Sequence, residues 1–510
     1  MSNTPLKHII FIPAPSWGHL RPAMKTSLRM VEKFQDLFIS LFVYDSEVPK
    51  AKKYLSSQES TYSSRTRIVT ASGNEAVPAL SLANPIEIFR YLDKSFKLWV
   101  TQELLSTTAP QVEGRAVSEP SWIIEDQFNG GVSLGSKDVH HLPIVSWWLT
   151  TAASLISQQG NEENGHGARV FENLAQHQGI SFSEAGEMYL QGVSDRLICI
   201  PGLPAYHEWE LNTQYLPFVP PFVAHMIGRW TNFIKYVDTI VCCTTFEMEP
   251  ISASALSNAL GKAIVPFFIG PSVDLASSRQ SDLDSSVTQF LDCAYTEKGA
   301  HSVVYVAFGT AFFPSSVPNL MAVLDEIPKA GFKFIFALSS PSAKLDQSWI
   351  DAHVQAGNAI FPGWTNQTAV LDHPAIHYFL SHGGWNSSTE ALVRGVPMIF
   401  WPFVSDQPAN AMQIATVHNC GFELLQVRTG PAKSTAYQDG KEVKIKGTED
   451  IIREEMKRIL ELSKGPRGEH QRVNARLLGR VISDSLAPGG SGDMNLLKFG
   501  KVLGLGKNVL

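Results

Sequence analysis

The sequence predicts an α/β protein of two doubly wound domains facing a cleft. Three observations carry that expectation. Short apolar runs alternate with longer helical patterns, the rhythm of parallel strands joined by crossover helices. The rhythm is interrupted at residues 271–286, where Ser, Asp, Gln and Arg gather without periodicity and read as a linker. A chain of 510 residues is also longer than one such core needs, so a second domain is expected.

Taken in order, the run at 8–13 is a buried-strand signal, and the chain then turns through Pro15, Ser16, Trp17, Gly18 and His19. A helix is expected from about Arg21, with Pro22 tolerated in its first turn. Further strands are expected at 37–44, 121–125, 143–147, 239–243 and 264–269, completing a first domain over 1–270. After the linker, strand patterns restart at 302–308, 332–337, 359–361, 376–381 and 397–401, giving a second domain over 287–485 and a final segment over 486–510. Two stretches do not fit. Residues 203–236 are aromatic and broken by prolines, and read either as an apolar pocket lining or as a surface loop. Residues 429–447 are polar and glycine-bearing and read as an exposed loop.

Composition excludes several classes. The formal charge is −6 with no basic block, so a nucleic-acid footprint is missing. Five cysteines (Cys199, Cys242, Cys243, Cys293 and Cys420) are odd in number and lack CxxC spacing, which fits buried thiols of a reducing, cytoplasmic compartment better than a disulfide or zinc framework. The apolar run near the start is too short for an export signal, and no run of about 18 apolar residues is present to span a membrane.

The chemistry concentrates in residues 364–407. A strand there delivers Ser381, His382, Gly383 and Gly384 to a helix start at Trp385, Asn386 and Ser387. Glycines let a backbone approach a ligand, and a helix N-terminus offers free N–H groups to an anion. His382, Asn386 and Ser387 add side-chain donors. Glu390 has the chemistry to accept two hydrogen bonds from a diol such as ribose. Asp406 and Gln407 follow the next strand's carboxyl end, where open α/β sheets bind ligands. Trp364 offers a flat face to a base. Together these groups describe a nucleotide-sugar site. Each also has a plainer explanation: Ser387-x-x-Glu390 fits a helix capping box, the glycines fit a turn, and Asp406 fits an N-cap. Those explanations leave Trp364, His382 and Gln407 without a role.

At this point the chain resembles the family 1 UDP-dependent glycosyltransferases, whose plant-type signature box spans 44 residues, as 364–407 does here. Trp364, Gln367, His382, the Gly-Trp-Asn-Ser run at 384–387, Glu390, Asp406 and Gln407 all fall in register. The resemblance implies the GT-B architecture, two Rossmann-like domains with a C-terminal helix returning to the first. It implies that Trp364 stacks on uracil and Glu390 holds the ribose. His382, Asn386 and Ser387 would then hold the phosphates with Thr310 nearby, and Asp406, Gln407 and the Trp385 main chain the sugar. The closing Gln points to glucose. Thr365-Asn366 and Gly383 depart from the usual plant residues and point to a non-plant, fungal lineage.

A glycoside-forming reaction needs a base for the acceptor hydroxyl, and imidazole suits that task. By resemblance His19, in a Pro-x-x-Gly-His-x-x-Pro pattern, is that base and Asp126 its partner; Glu125 should point to the other face of its strand. Thr150 is a weaker sugar contact. Trp17, Phe128, Trp147 and Trp148 are acceptor-pocket candidates. The implied reaction is a direct, inverting displacement on a UDP-hexose by a phenol, flavonoid, terpenoid or sterol, with no metal or other cofactor. Gly131-x-Ser133-x-Gly135 fits a nucleophile elbow, but five residues separate it from the preceding strand and any oxyanion motif lies far downstream. A non-catalytic UDP-sugar or lipophile binder would have no use for His19 and Asp126, and an epimerase would not carry the signature box.

Overall fold

The computed structural model describes residues 4–506 apart from 71–75, 81–84, 107–109, 162, 164–166, 195, 277–282 and 439, and apart from the side chains of 167–169, 172 and 183. Part of the expected linker therefore lies outside the described residues. The first unit is built on strands β1 (Leu6–Ile12), β2 (Leu37–Phe42), β3 (Thr66–Val69), β4 (Arg115–Asp126), β5 (Ile144–Trp148), β6 (Thr239–Cys242) and β7 (Val265–Phe268). Their spatial order is β7-β6-β5-β4-β1-β2-β3, and every pairing along it is parallel. Strand β1 shows why its sequence is apolar throughout. Ile10 and Ile12 enter one core layer with Phe42 and Phe96, while Ile9 and Phe11 enter the opposite layer with Met24 and Trp147. Helices α1 (Trp17–Lys33), α2 (Ala152–Gln159) and α3 (Val219–Tyr236) belong to this unit.

The second unit repeats the plan with β8 (Val303–Ala307), β9 (Lys333–Ala337), β10 (Ala359–Ile360), β11 (Ile376–Ser381), β12 (Met398–Phe400) and β13 (Gly421–Glu423), ordered β10-β9-β8-β11-β12-β13 and wholly parallel. Its helices include α4 (Gln367–Asp372), α5 (Trp385–Val393) and α6 (Gln407–Ala411). Helix α7 (Pro466–Leu486) leads into α8 (Ser491–Val502), which crosses back to the first unit. There Leu496 and Phe499 join the core that holds Phe267, and Lys33 pairs with Asp493 at 2.7 Å. This is the two-domain α/β architecture expected of the chain. Among the described residues no helix is long and apolar enough to cross a membrane.

Four local expectations change. Helix α1 starts at Trp17, not near Arg21, so Pro22 sits inside it rather than in its first turn. The edge strands β3 and β13 went unread, because Thr-Arg-Ile-Val and Gly-Phe-Glu carry no buried-strand pattern. Residues 429–447 are not merely a loop: Thr435–Gln438 (β14) pairs antiparallel with Lys441–Lys444 (β15), and Ala436 of β14 is buried. Residues 203–236 are not a surface loop either. They hold a 3-10 turn at Glu208–Leu211, an extended stretch lying on the second unit, and the whole of α3, whose Trp230 and Phe233 are core.

Candidate active site

In each sheet the neighbouring strands β1/β4 and β8/β11 are where the chain order reverses, the switch point at which open α/β sheets take ligands. The two switch points face each other. Asn386 Nδ2 donates to the Gly18 carbonyl at 2.8 Å, Arg21 pairs with Glu390 at 2.5 Å, and Trp385 Nε1 donates to the Cys243 carbonyl at 2.7 Å.

On the first unit's side, β1 runs into α1 and sets His19 in that helix's first turn; β4 ends on Asp126. His19 Nδ1 lies 2.7 Å from Asp126 Oδ2, and Asp126 Oδ1 accepts the Phe128 N–H at 3.0 Å. A carboxylate only accepts, so Nδ1 carries the proton and Nε2 keeps its lone pair for another partner. Burial pulls the His19 pKa down, but the charge and hydrogen bond of Asp126 and the more distant charge of Asp406 outweigh it, and the pKa stands above 6.5. The His19 side chain retains 24% exposure while Asp126 is buried. Glu125, as the strand alternation requires, turns the other way and accepts from the Val132 and Ser133 N–H groups. Its further contact is the Ser133 hydroxyl, which is wholly buried; the nucleophile-elbow reading therefore has no reactive serine.

An aromatic group packs beside His19. The Phe128 ring centroid is 5.1 Å from that of His19, and Phe89, Phe222 and Trp230 pack around Phe128 at 5.8–6.0 Å. Of the other wall candidates, Trp147 is fully buried core and Trp148 nearly so, with its Nε1 on the Thr151 carbonyl at 2.8 Å. Trp17 is engaged by Tyr54 at 6.1 Å and by the Lys50 ammonium 4.2 Å above its ring.

On the second unit's side, β11 delivers His382 to the start of α5, whose N-cap is Gly384. The capping-box reading fails, since neither Ser387 nor Glu390 reaches the cap. The His382 ring lies between two glycines: a Cβ on Gly384 would stand 2.4 Å from its Nε2, and one on Gly309, whose φ is +75°, 3.1 Å from its Cε1. Burial lowers the His382 pKa to about 4 despite the Ala307 backbone, so it is neutral at pH 7. Thr310 is exposed, and Trp364 leaves 68% of its surface uncovered. Gln367, at the start of α4, donates to Ser387 Oγ at 3.2 Å and to Glu390 Oε2 at 2.8 Å; Arg21 holds the other oxygen of this buried carboxylate.

Asp406 precedes α6 but makes no cap bond; instead it accepts from Asn410 Nδ2 at 2.7 Å. Asn410 is fully buried and ties both units together. Its Nδ2 also donates to the Gly383 carbonyl at 3.0 Å, and its Oδ1 accepts from Thr150 at 3.1 Å and Thr151 at 3.2 Å. Thr150 thus touches the second unit through Asn410. Gln407 is buried with its Oε1 on the Phe403 N–H at 2.9 Å. Neither Arg21 nor Asn410 stood out in the sequence. A one-turn spacing from Asp406 was the only hint for Asn410.

Two Rossmann-like units with facing switch points, and a last helix that returns to the first unit, make up the GT-B fold. A family model described as "UDP-glucoronosyl and UDP-glucosyl transferase" matches residues 266–429. A UDP-glycosyltransferase of Hericium erinaceus, eriJ, is 27% identical over 92% of this chain and 93% of its own length, and UDP-glycosyltransferase 71A15 of Malus domestica is 23% identical over 96% and 98%. Among solved structures, a Phytolacca americana enzyme complexed with UDP-2-fluoro-glucose and pterostilbene superposes with a TM-score of 0.70 at 18% identity, covering 98% of this chain and all of that one. A Medicago truncatula enzyme complexed with UDP-glucose gives 0.65 at 18% identity, covering 98% of each chain. Over nearly its whole length the chain is thus similar to UDP-glycosyltransferases, and residues 266–429 match their family model.

Proposed function

We propose that the protein transfers glucose from UDP-glucose to a hydroxyl of a small lipophilic acceptor, with inversion at the anomeric carbon. The observation that carries this reading is the 2.7 Å His19–Asp126 pair, set against an aromatic wall and opposite the helix start at Asn386. His19 Nε2 takes the acceptor's proton as its oxygen attacks the anomeric carbon; Asp126 fixes the tautomer and stabilises the imidazolium. UDP leaves as the β-linked product forms. Free N–H groups at the start of α5, with Asn386, Ser387 and neutral His382, receive the charge that grows on the diphosphate. Glu390 takes the ribose hydroxyls, Trp364 the uracil, and Asp406 and Gln407 the sugar.

Half-buried Phe128 and Phe222, backed by the buried Phe89 and Trp230, support a flat or lipophilic acceptor such as a phenol, flavonoid, terpenoid or sterol. We further assign the protein to the cytoplasm and the reaction to metal-independent chemistry. The test is a panel of such acceptors with UDP-glucose, with and without chelator, and NMR of the product. A β-glucoside formed equally under both conditions supports the reading. An α-glucoside, or transfer that a chelator abolishes, contradicts the mechanism.

A further inference from the structure

The stretch between the 3-10 turn at Glu208–Leu211 and helix α3 leaves the acceptor-side unit and lies along the backbone of the donor-side unit. Glu210 pairs with buried Arg428 at 2.5 Å and accepts the Tyr437 N–H at 2.8 Å. The Thr213 hydroxyl donates to the Pro402 carbonyl at 2.5 Å, with the Phe403 carbonyl a longer second acceptor at 3.1 Å, and the Gln214 N–H donates to the Phe403 carbonyl at 3.1 Å. In return the Thr429 N–H donates to the Thr213 carbonyl at 3.0 Å. Thr213 and Gln214 are each 1% exposed, so these bonds are made out of water.

The carbonyl of Pro402 and the N–H of Phe403 belong to one peptide unit. Its oxygen end is held by Thr213, and its N–H end donates to Gln407 Oε1 at 2.9 Å. A peptide unit is planar and rigid, so turning its oxygen turns its N–H as well. The terminal torsion of Gln is soft and two-fold, and an amide left alone has no preference for which end faces the cleft. The Phe403 N–H supplies that preference. It claims the carbonyl end of the Gln407 amide and leaves the NH2 end for another acceptor.

We propose that Thr213 is a positioning residue for the donor sugar: through the Pro402–Phe403 peptide it sets the orientation in which Gln407 meets the sugar. This rests on the reading of Gln407 as a sugar contact. It makes the acceptor-side unit responsible for part of the donor's recognition, and gives the inserted segment a role besides lining the acceptor site.

The test compares binding of UDP-glucose and of UDP, by calorimetry, for wild type, Thr213→Val, Thr213→Ser and each of these with Gln407→Ala. UDP lacks the sugar, so a positioning role moves only the UDP-glucose constant. Thr213→Val is expected to weaken UDP-glucose about five- to tenfold, the worth of one neutral hydrogen bond, with the UDP constant unchanged. Thr213→Ser restores the wild-type ratio, and Thr213→Val adds nothing once Gln407 is alanine. Equal weakening of UDP and UDP-glucose, no weakening of either, or an undiminished effect in the Gln407→Ala background overturns the proposal. If Thr213→Val fails to fold, Thr213→Ala is read on the same two constants. A wild type that binds UDP-glucose yet releases no UDP to any acceptor defeats the transferase reading instead, and the binding ratio still judges Thr213.

Discussion

The side chain of Asn386 donates a 2.8 Å hydrogen bond to the carbonyl of Gly18 across the cleft. That carbonyl is free to accept because the residue four positions on, where a helix would place its N–H donor, is Pro22. A proline inside α1 therefore does more than end a motif: it exposes a backbone acceptor that orients a donor-side amide. Pro22→Ala supplies the missing N–H and sets up a competitor for Asn386. The variant is expected to melt higher, as interior prolines cost a helix, yet to bind UDP about threefold more weakly, since the Asn386 amide loses an orienting partner worth at most about 1 kcal/mol. Thermal melts and calorimetric UDP titration check both halves.

Glu390 is buried, and Arg21 keeps 27% of its side chain exposed. Replacing Glu390 by Gln removes the paired counter-charge of the guanidinium and leaves it only the more distant Asp274. Discounted for Arg21's exposure, the expected loss is about 1–2 kcal/mol. Adding Arg21→Gln removes the stranded charge, so the double variant should be more stable than Glu390→Gln alone. Urea unfolding of the four proteins in that cycle reads the sign directly.

Asn410 holds Asp406, the Gly383 carbonyl, Thr150 and Thr151 at once. Asn410→Asp puts a second carboxyl against Asp406 and removes the donor to Gly383. Two carboxylates this close cannot both ionise, and the buried Gly383 carbonyl loses its partner. The expected outcome is a loss of about 2–3 kcal/mol in stability and a fall of about 100-fold in kcat/KM, seen in melts and in steady-state UDP release.

The pH dependence follows from His19. A base must be neutral, and the pKa of this one stands above 6.5, with burial opposing and Asp126 and Asp406 raising it. The rate as kcat/KM should therefore fall on the acid side, with its midpoint above pH 6.5. Asp126→Asn removes the charge, so the midpoint should move down while the rate drops by about 10²–10⁴ through loss of the tautomer and of imidazolium stabilisation. The stability sign is separate. A pKa raised on folding contributes stability fully below 6.5 and loses it as pH rises through the folded value. The gap in melting temperature between wild type and His19→Ala should accordingly shrink from pH 6 to pH 9.

What the sequence made legible was what lies close together in it. Strand β1 is a continuous apolar run because both its faces are covered, and the groups from His382 to Glu390 share one turn and helix. Contacts made by topology left no such trace. Arg21 meets Glu390 from 369 positions away, Asn410 meets Thr150 from 260, and Thr213 meets Pro402 from 189. The inserted aromatics were visible as unusual, but their division of labour was not. Phe222 and Trp230 pack on Phe128 while Trp209 reaches the Thr435 carbonyl of the other unit at 2.9 Å, and only the path of the chain decides which does which.

The central claim is that His19, oriented by Asp126, deprotonates an acceptor that attacks a UDP-sugar. The most direct measurement is acceptor-dependent UDP release from UDP-glucose by wild type and by His19→Ala, with UDP affinity recorded for both. The account predicts release that needs the acceptor and falls by at least about 100-fold in the variant, at unchanged UDP affinity. Release that survives intact in His19→Ala would contradict it.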